Sequence, residues 1–260
     1  MRHLRALTCI ALFAAASPLA AQIPTSEYAA RRDALAEKVD RGVVIAFGGA
    51  DPVRHWPPFY QLPAFRYLTG FLQSNAALVM VRDDGATVST LFVARPNARS
   101  ALYDGERLTL DDVSKELGLS ARYSDEMTAY VDSVVAGGLP VFSIADFQAN
   151  EFSQRDSLTA GRNFLRTLAA RQPGLETAEV NQWVDQLRAK KSDAEVALLK
   201  KAADVTSRAH EAAMRAIRPG IRENEIQAVM EAEYRRLGAD APSYSSIVGA
   251  GPNSTVLHYP

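Results

Sequence analysis

The chain has 260 residues, of which 47% are hydrophobic and 23% charged, a composition typical of a globular protein with a sizeable core rather than of a disordered one. Its 29 basic and 30 acidic residues give a formal net charge of −1, and no basic tract or stripe runs along it, so nucleic acid binding is not expected. The length allows one large domain or two ordinary ones.

The first 21 residues have the layout of a bacterial secretory signal peptide. A short basic region precedes an apolar run over residues 6–16, and small residues up to Ala21 offer a cleavage site. The run is too short to span a bilayer, which needs about 20 apolar residues, and no later stretch is long and apolar enough to do so. We therefore expect cleavage after Ala21 and a periplasmic or secreted protein without a membrane span.

Cys9 is the only cysteine, and it lies inside this signal segment. The mature chain is therefore predicted to have no disulfide, no cysteine-ligated zinc and no cysteine nucleophile. A chain without cysteine suits an oxidising compartment. Loss of Arg2 and Arg5 leaves 27 basic against 30 acidic residues, a net charge near −3.

Residues 22–173 alternate short apolar runs with amphipathic segments and predict an α/β domain. A turn at Asp83-Asp84-Gly85 predicts a β-hairpin between two of the runs. The predicted strands are residues 43–47, 76–81, 87–93 and 141–144. Helical spacing of apolar residues predicts helices over residues 110–117, 126–135 and 157–171.

Pro173-Gly174 marks the predicted domain boundary, because the pattern changes there to long helices over residues 180–187, 193–217 and 223–237. Ser192 and Glu195 form a capping box at the start of the second of these helices. Gly238 is predicted to end the third in a left-handed conformation. Two short strands, residues 244–248 and 255–259, are predicted around a glycine-rich turn, so residues 174–260 predict an incomplete α+β domain.

The helix over residues 193–217 carries one stripe of mostly apolar side chains. The stripe contains Val196, Leu199, Ala203, Thr206, His210, Ala213 and Ile217. A domain this small buries little surface for its size, so we expect the apolar faces of this helix and the next to be exposed and to favour self-association.

Three histidines lie outside the signal segment. A half-buried packing role is favoured for His210 because of its place on the stripe, and His55, in a loop, is assigned no role. His258 follows a strand, a Gly-x-Gly turn and a second strand. A histidine so placed can point into a cleft and donate a hydrogen bond to a carbonyl oxygen that gains charge during attack.

Other catalytic patterns are missing from the sequence. Gly249-Ala250-Gly251 lacks the third glycine and the following helix of a phosphate-binding loop. The sequence has no Ser/His/Asp order with elbow glycines, no His-Glu-x-x-His and no carboxylate–histidine cluster with metal-ligand spacing. The residues alone therefore predict no complete active site.

Residues 242–259, Pro-Ser-Tyr-Ser-Ser-Ile-Val-Gly-Ala-Gly-Pro-Asn-Ser-Thr-Val-Leu-His-Tyr, resemble the signature that opens the catalytic domain of Xaa-Pro aminopeptidases. These belong to the aminopeptidase P, prolidase and creatinase group of "pita-bread" metallopeptidases. Lys191-Ser192 and Arg218-Pro219-Gly220 resemble residues of the two helices that precede this signature in the family. In the first domain, Phe-Arg-Tyr-Leu-Thr-Gly-Phe at 65–71 and Tyr-Asp-Gly-Glu-Arg-Leu at 103–108 resemble family motifs.

The resemblance implies a creatinase-like α/β domain followed by the start of an α+β pita-bread catalytic domain. It implies two divalent metal ions, commonly manganese, that activate a water to attack the bond between the first residue of a peptide and a following proline. His258 matches the histidine that contacts the substrate carbonyl and steadies the tetrahedral intermediate. Tyr103 stands where some relatives place a tryptophan that reaches the active site of a neighbouring subunit, so a homo-oligomer and a substrate contact are implied.

The chain departs from the family pattern in two places. The family's metal ligands, two Asp, one His and two Glu, lie downstream of His-Tyr, so no metal ligand is assigned here and the chain is expected to be a fragment that is inactive and metal-free alone. Residues 60–65 read Tyr-Gln-Leu-Pro-Ala-Phe where the family tends to have Arg-Gln-x-Ser-Asp-Phe. Two alternatives stay open: a non-catalytic creatinase-like module for peptide binding or dimerisation, and a prolidase-like dipeptidase fragment.

Overall fold

The structure, a computed structural model, describes residues 23–51, 59–144 and 160–259. The signal peptide predicted over residues 1–21, together with Cys9, lies outside the described residues, as does His55. The described chain forms two compact units, residues 23–195 and residues 196–259. None of its helices combines the length and apolar character that crossing a bilayer requires.

The first unit is built on a mixed six-stranded sheet with the order β4-β3-β2-β1-β5-β6. The strands are β1 (Gly42–Phe47), β2 (Ala77–Asp83), β3 (Ala86–Val93), β4 (Ser120–Tyr123), β5 (Val141–Ile144) and β6 (Thr177–Glu179). β1 pairs antiparallel with β2, which forms the predicted hairpin with β3, and the β1–β5, β3–β4 and β5–β6 pairs are parallel. The predicted α/β fold class and the hairpin are confirmed.

Helices cover both faces of this sheet. They are α1 (Thr25–Ala36), α2 (Pro63–Thr69), α3 (Ala98–Asp104), α4 (Leu110–Leu117), α5 (Met127–Val135), α6 (Ala160–Arg171) and α7 (Asn181–Ala189). Val44 and Ala46 of β1 belong to the core formed with α1, α2, α4 and α7, whereas Val43 and Ile45 belong to the core formed with α5 and α6. β1 is a continuous apolar run because both of its faces are buried.

The chain between the predicted boundary at Pro173-Gly174 and Glu195 belongs to the first unit. β6 pairs with β5, and Val180 and Val184 are buried in the core. β6 has only three residues and all are exposed, so no apolar alternation marks it in the sequence. The two compact units divide between Glu195 and Val196.

Two long helices make up most of the second unit. α8 (Asp193–Ala216) begins in the predicted capping box, where the Ser192 N–H donates to Glu195 at 2.8 Å and the Glu195 N–H donates to the Ser192 hydroxyl at 3.1 Å. α9 (Glu223–Arg236) ends in a Schellman motif, with Gly238 at φ +88° and hydrogen bonds from the amides of Gly238 and Ala239 to carbonyls of the last turn. Both predictions are confirmed.

The two short strands predicted over residues 244–248 and 255–259 are wrong. A 3-10 helix covers Gly251–Thr255, and the rest of this stretch is irregular. Pro252 has no N–H for a ladder, and the hydroxyls of Ser254 and Thr255 bond to the carbonyls of Gly251 and Pro252 at 2.7 and 2.8 Å. An isolated two-stranded hairpin is only marginally stable in water, so these local hydrogen bonds determine the structure here.

The apolar stripe predicted on α8 is mostly exposed, as expected for this helix, and Ala213 is its one buried member. The buried side chains are Val205, Ala209 and Ala213, spaced four residues apart. His210 is exposed rather than half-buried, and Leu199 and Ile217 are 56% and 62% exposed. α8 carries alanine on most of its faces, so periodicity alone does not single out the buried one.

Candidate active-site segment

Residues 242–259, here called the signature segment, are held to α9 by two carboxylates. In the second half of the helix, Glu231 accepts a hydrogen bond from the Ser246 hydroxyl at 2.7 Å. At the first residue of the helix, Glu223 Oε1 accepts from the Ala250 N–H at 2.7 Å and from Asn253 Nδ2 at 2.9 Å. The irregular backbone of the segment is thus fixed at two places along the helix.

Hydrogen bonds keep these two carboxylates in their charged form. The amide of Asn253, the N–H of Ala250 and the hydroxyl of Tyr259 hold the pKa of Glu223 below its usual value. Gln227 and Ser246 do the same for the pKa of Glu231. Donors that stabilise the charged form lower a carboxyl pKa, so both groups are anionic at neutral pH.

An open, mostly polar cavity of about 480 Å³ lies between the start of α9 and the signature segment. Its lining consists of Ile221, Arg222, Glu223, Asn224, Gln227, Ser246, Val248, Ala250, Asn253 and Tyr259. Glu223 is therefore at the wall of a cleft as well as at the centre of the hydrogen bonds that shape it.

His258 is exposed, directly before the half-buried Tyr259, which lines the same cavity as Glu223. The structure thus leaves the imidazole of His258 accessible on a segment whose course is fixed by its neighbours. His210 is exposed as well, but its Nδ1 lies 2.9 Å from the Thr206 carbonyl oxygen of its own helix. Of the two, only His258 belongs to a segment that lines a cleft.

Tyr103 lies in the first unit, near the end of α3, and is 72% exposed. The turn that follows it is anchored by Arg107, whose guanidinium bonds to the carbonyl oxygen of Ser74 at 3.0 Å and to Asp51 at 3.1 Å. Burial works to raise the pKa of Asp51, but its hydrogen bonds with Ser74, Arg107 and Asn75 outweigh this and lower the pKa. The carboxylate of Asp51 therefore stays charged, and its ion pair with Arg107 holds the turn that follows Tyr103.

The departure from the family pattern at residues 60–65 leaves Phe65 and Gln61 as shared positions, and Gln61 is buried. Its Oε1 accepts from the N–H groups of Gly49 and Leu62 at 2.7 and 2.9 Å, and its Nε2 donates to the Gln73 carbonyl at 2.8 Å. Gln61 therefore joins its own loop to the loops that contain Gly49 and Gln73, so its role is structural.

In the part of the chain that the structure describes, no three His, Cys, Asp or Glu side chains come together as a group that could hold a metal ion. The described residues therefore do not fit a two-metal site, and no catalytic step is assigned here through a metal.

Glu223 and Glu231 were missed by sequence reasoning. An acidic residue in the first turn of a helix is explained by the helix dipole alone, so Glu223 carries no functional signal in the sequence. Its partner Ala250 lies 27 residues away and contributes only a backbone amide. Only the three-dimensional structure brings the two together.

Two sequence families match the chain. Aminopeptidase P, N-terminal domain matches residues 28–141, and metallopeptidase family M24 matches residues 197–260. The Xaa-Pro aminopeptidase of Escherichia coli is 30% identical over 246 residues, which cover 92% of this chain and 55% of the relative. The chain thus spans about half the length of this curated relative.

Solved structures agree in fold. A candidate aminopeptidase P from Bacillus anthracis superposes with a TM-score of 0.83 at 19% identity over 91% of this chain and 57% of its own. Zinc-substituted E. coli aminopeptidase P in complex with product superposes with a TM-score of 0.77 at 28% identity over 92% of this chain and 55% of its own. Together, the two family matches, the E. coli relative and the shared fold show that the chain corresponds to the N-terminal portion of an Xaa-Pro aminopeptidase, with an aminopeptidase P N-terminal domain followed by part of an M24 metallopeptidase domain.

Proposed function

We propose that this chain acts within an Xaa-Pro aminopeptidase, a hydrolase that releases the first residue from peptides with proline at position two. Family membership supports the reaction class. One observation carries the proposal for this chain. Hydrogen bonds to Glu223 and Glu231 of α9 hold the signature segment in place, and His258 on that segment is exposed.

His258 is assigned a direct part in the reaction. When water attacks the scissile carbonyl, its oxygen gains negative charge, and an imidazole N–H aimed at that oxygen stabilises the tetrahedral intermediate. A donor held on a fixed segment needs no reorganisation as the charge develops, which is what makes such a hydrogen bond effective.

Tyr103 is proposed to contact substrate at the active site of a neighbouring subunit in a homo-oligomer. This role is supported by the exposed side chain of Tyr103, which lies beside Leu102 (79% exposed) near the end of α3. The turn that follows is anchored by Arg107. Tyr103→Ala is expected to raise KM and weaken the oligomer, measured by peptide kinetics and sedimentation velocity. A variant with unchanged KM and assembly would contradict this role.

The experiment that tests the function uses the native protein from its source, recovered from the periplasm or the medium, where the proposed signal peptide would send it. We expect an N-terminus at Gln22 and manganese-stimulated, chelator-sensitive release of the first residue from an Xaa-Pro-Xaa tripeptide, with no release from Xaa-Ala-Xaa. Mass spectrometry and amino-acid release measure both.

Other outcomes of the same assay select between the alternatives. Cleavage of an Xaa-Pro dipeptide but not of the tripeptide would identify a prolidase-like dipeptidase. Failure to cleave either peptide with manganese, zinc or cobalt would leave the non-catalytic creatinase-like module. A cytoplasmic protein that retains residues 1–21 would contradict the proposed export.

A further inference from the structure

The first turn of α9 contains two carboxylates with different tasks. Glu225 accepts a hydrogen bond from the N–H of Arg222 at 2.9 Å and so caps its own helix. Glu223 instead accepts hydrogen bonds from the signature segment, from the N–H of Ala250 and from Nδ2 of Asn253. A residue needed only for the helix would not need these two donors.

The two donors hold the 3-10 helix over Gly251–Thr255, since Ala250 precedes it and Asn253 lies within it. At Gly249 an added Cβ would lie 2.8 Å from the Asn253 carbonyl oxygen, so the backbone turns back tightly on itself there. Tyr259, directly after His258, lines the same cavity as Glu223. One carboxylate therefore fixes the compact turn and shares a cavity wall with the residue next to His258.

We propose that Glu223 is the positioning residue for His258, setting the backbone course from which the imidazole is presented. The catalytic meaning of this proposal rests on the proposed function, whereas the hydrogen-bonded arrangement does not. Glu223 acts through the segment and contacts neither substrate nor the reacting atoms.

The charge of Glu223 is what the arrangement requires. Arg222 and Tyr259 are the other ionisable residues that line the same cavity. The hydrogen bonds hold the pKa of Glu223 below its unfolded value, so their contribution is present above the ordinary glutamate range and is lost as the pH falls through the folded pKa. Acidification is therefore expected to release the segment from α9.

The test is an NMR titration of the full chain from pH 7 to pH 3. We expect the amide proton of Ala250 and the side-chain amide of Asn253 to titrate together, with a midpoint below the usual glutamate value. Glu223→Gln should abolish the Ala250 titration, speed its amide exchange about tenfold or more and move the His258 signals at pH 7.

Matched variants keep the test decisive. Glu211→Gln removes an exposed carboxylate of α8, 3.7 Å from Arg215, and should leave both sets of signals as they are. Glu223→Asp keeps the charge on a shorter side chain and is measured should the glutamine variant fail to fold; it should weaken the Ala250 shift without abolishing it.

An Ala250 titration that persists in Glu223→Gln, or His258 signals identical in both proteins, would overturn the proposal. These signals do not depend on peptide cleavage. A protein with the expected titration and no aminopeptidase activity would therefore retain the positioning role and contradict only the proposed function.

Discussion

Replacing His258 with alanine is expected to lower kcat for Xaa-Pro cleavage by about 100- to 1000-fold, the usual cost of removing one preorganised donor to a developing oxyanion. Because the hydrogen bond strengthens in the transition state, kcat and kcat/KM should fall by similar factors while KM changes little. Stability should also change little, since His258 is exposed. Steady-state kinetics on an Xaa-Pro-Xaa peptide and urea unfolding measure these effects.

His210→Ala is the matched control, because His210 is also exposed and its recorded hydrogen bond is to the Thr206 carbonyl of its own helix. It should retain kcat within about threefold. In the native protein used for the peptide assay, His258→Ala should leave the bound metal content unchanged, because His258 is assigned to the substrate carbonyl rather than to a metal. A kcat within threefold of normal in His258→Ala, or a loss of metal with the activity, would contradict the assigned role.

The strands of the first unit were predictable because their burial is strong and local. β1 and the β2–β3 hairpin are apolar runs separated by turn residues, and Asp84 and Gly85 take the positive φ angles that the turn requires. α4 was predictable to the residue because Thr109 and Asp112 cap its start and Gly118 ends it. In each case the sequence neighbours that decide the structure lie within a few positions.

The failures have a different cause. β6 is an exposed three-residue strand that exists because β5 offers it an edge. The signature segment looked like a hairpin because its residues favour strands, but Glu223 and Glu231 offer its amides and hydroxyls other acceptors. Partners distant in sequence decided both.

The candidate site divides in the same way. His258 was found through a motif, because a rare residue stands next to tyrosine at the end of a glycine-rich stretch. Gln61 is different: its side chain joins loops on both sides of it through backbone groups, which leave no trace in side-chain identity. Motifs reveal residues that do chemistry more readily than residues that hold them in place.

The second large effect is expected at Arg31 of α1, whose side chain is only 8% exposed. Its guanidinium bonds to Glu27, to Glu195 at 3.1 Å and to the Tyr67 carbonyl at 3.0 Å, and it lies 4.1 Å from the centre of the Tyr67 ring. Glu27 in turn accepts from the Ser192 hydroxyl at 2.7 Å, so Arg31 joins α1, α2 and the capping box of α8.

Arg31→Met is expected to lower the free energy of unfolding by about 3–5 kcal/mol, because it leaves two mostly buried carboxylates facing each other without a cation. Arg31→Lys should recover only part of this, since an ammonium lacks the planar fork that reaches both carboxylates and a carbonyl. Urea unfolding followed by circular dichroism measures both variants. Arg41→Met, which breaks an exposed pair with Asp83, is the control and should cost no more than about 1 kcal/mol.

Removing the two carboxylates separates lost charge pairing from lost packing. In Arg31→Met the carboxylates of Glu27 and Glu195 lose the cation that both of them contact in the unaltered protein. Adding Glu27→Gln and Glu195→Gln to Arg31→Met should therefore restore part of the stability at pH 7, because no unpaired charge is then left in a mostly buried place. A deficit that is the same in the triple variant as in Arg31→Met would show that Arg31 acts through packing against Tyr67 and not through its charge.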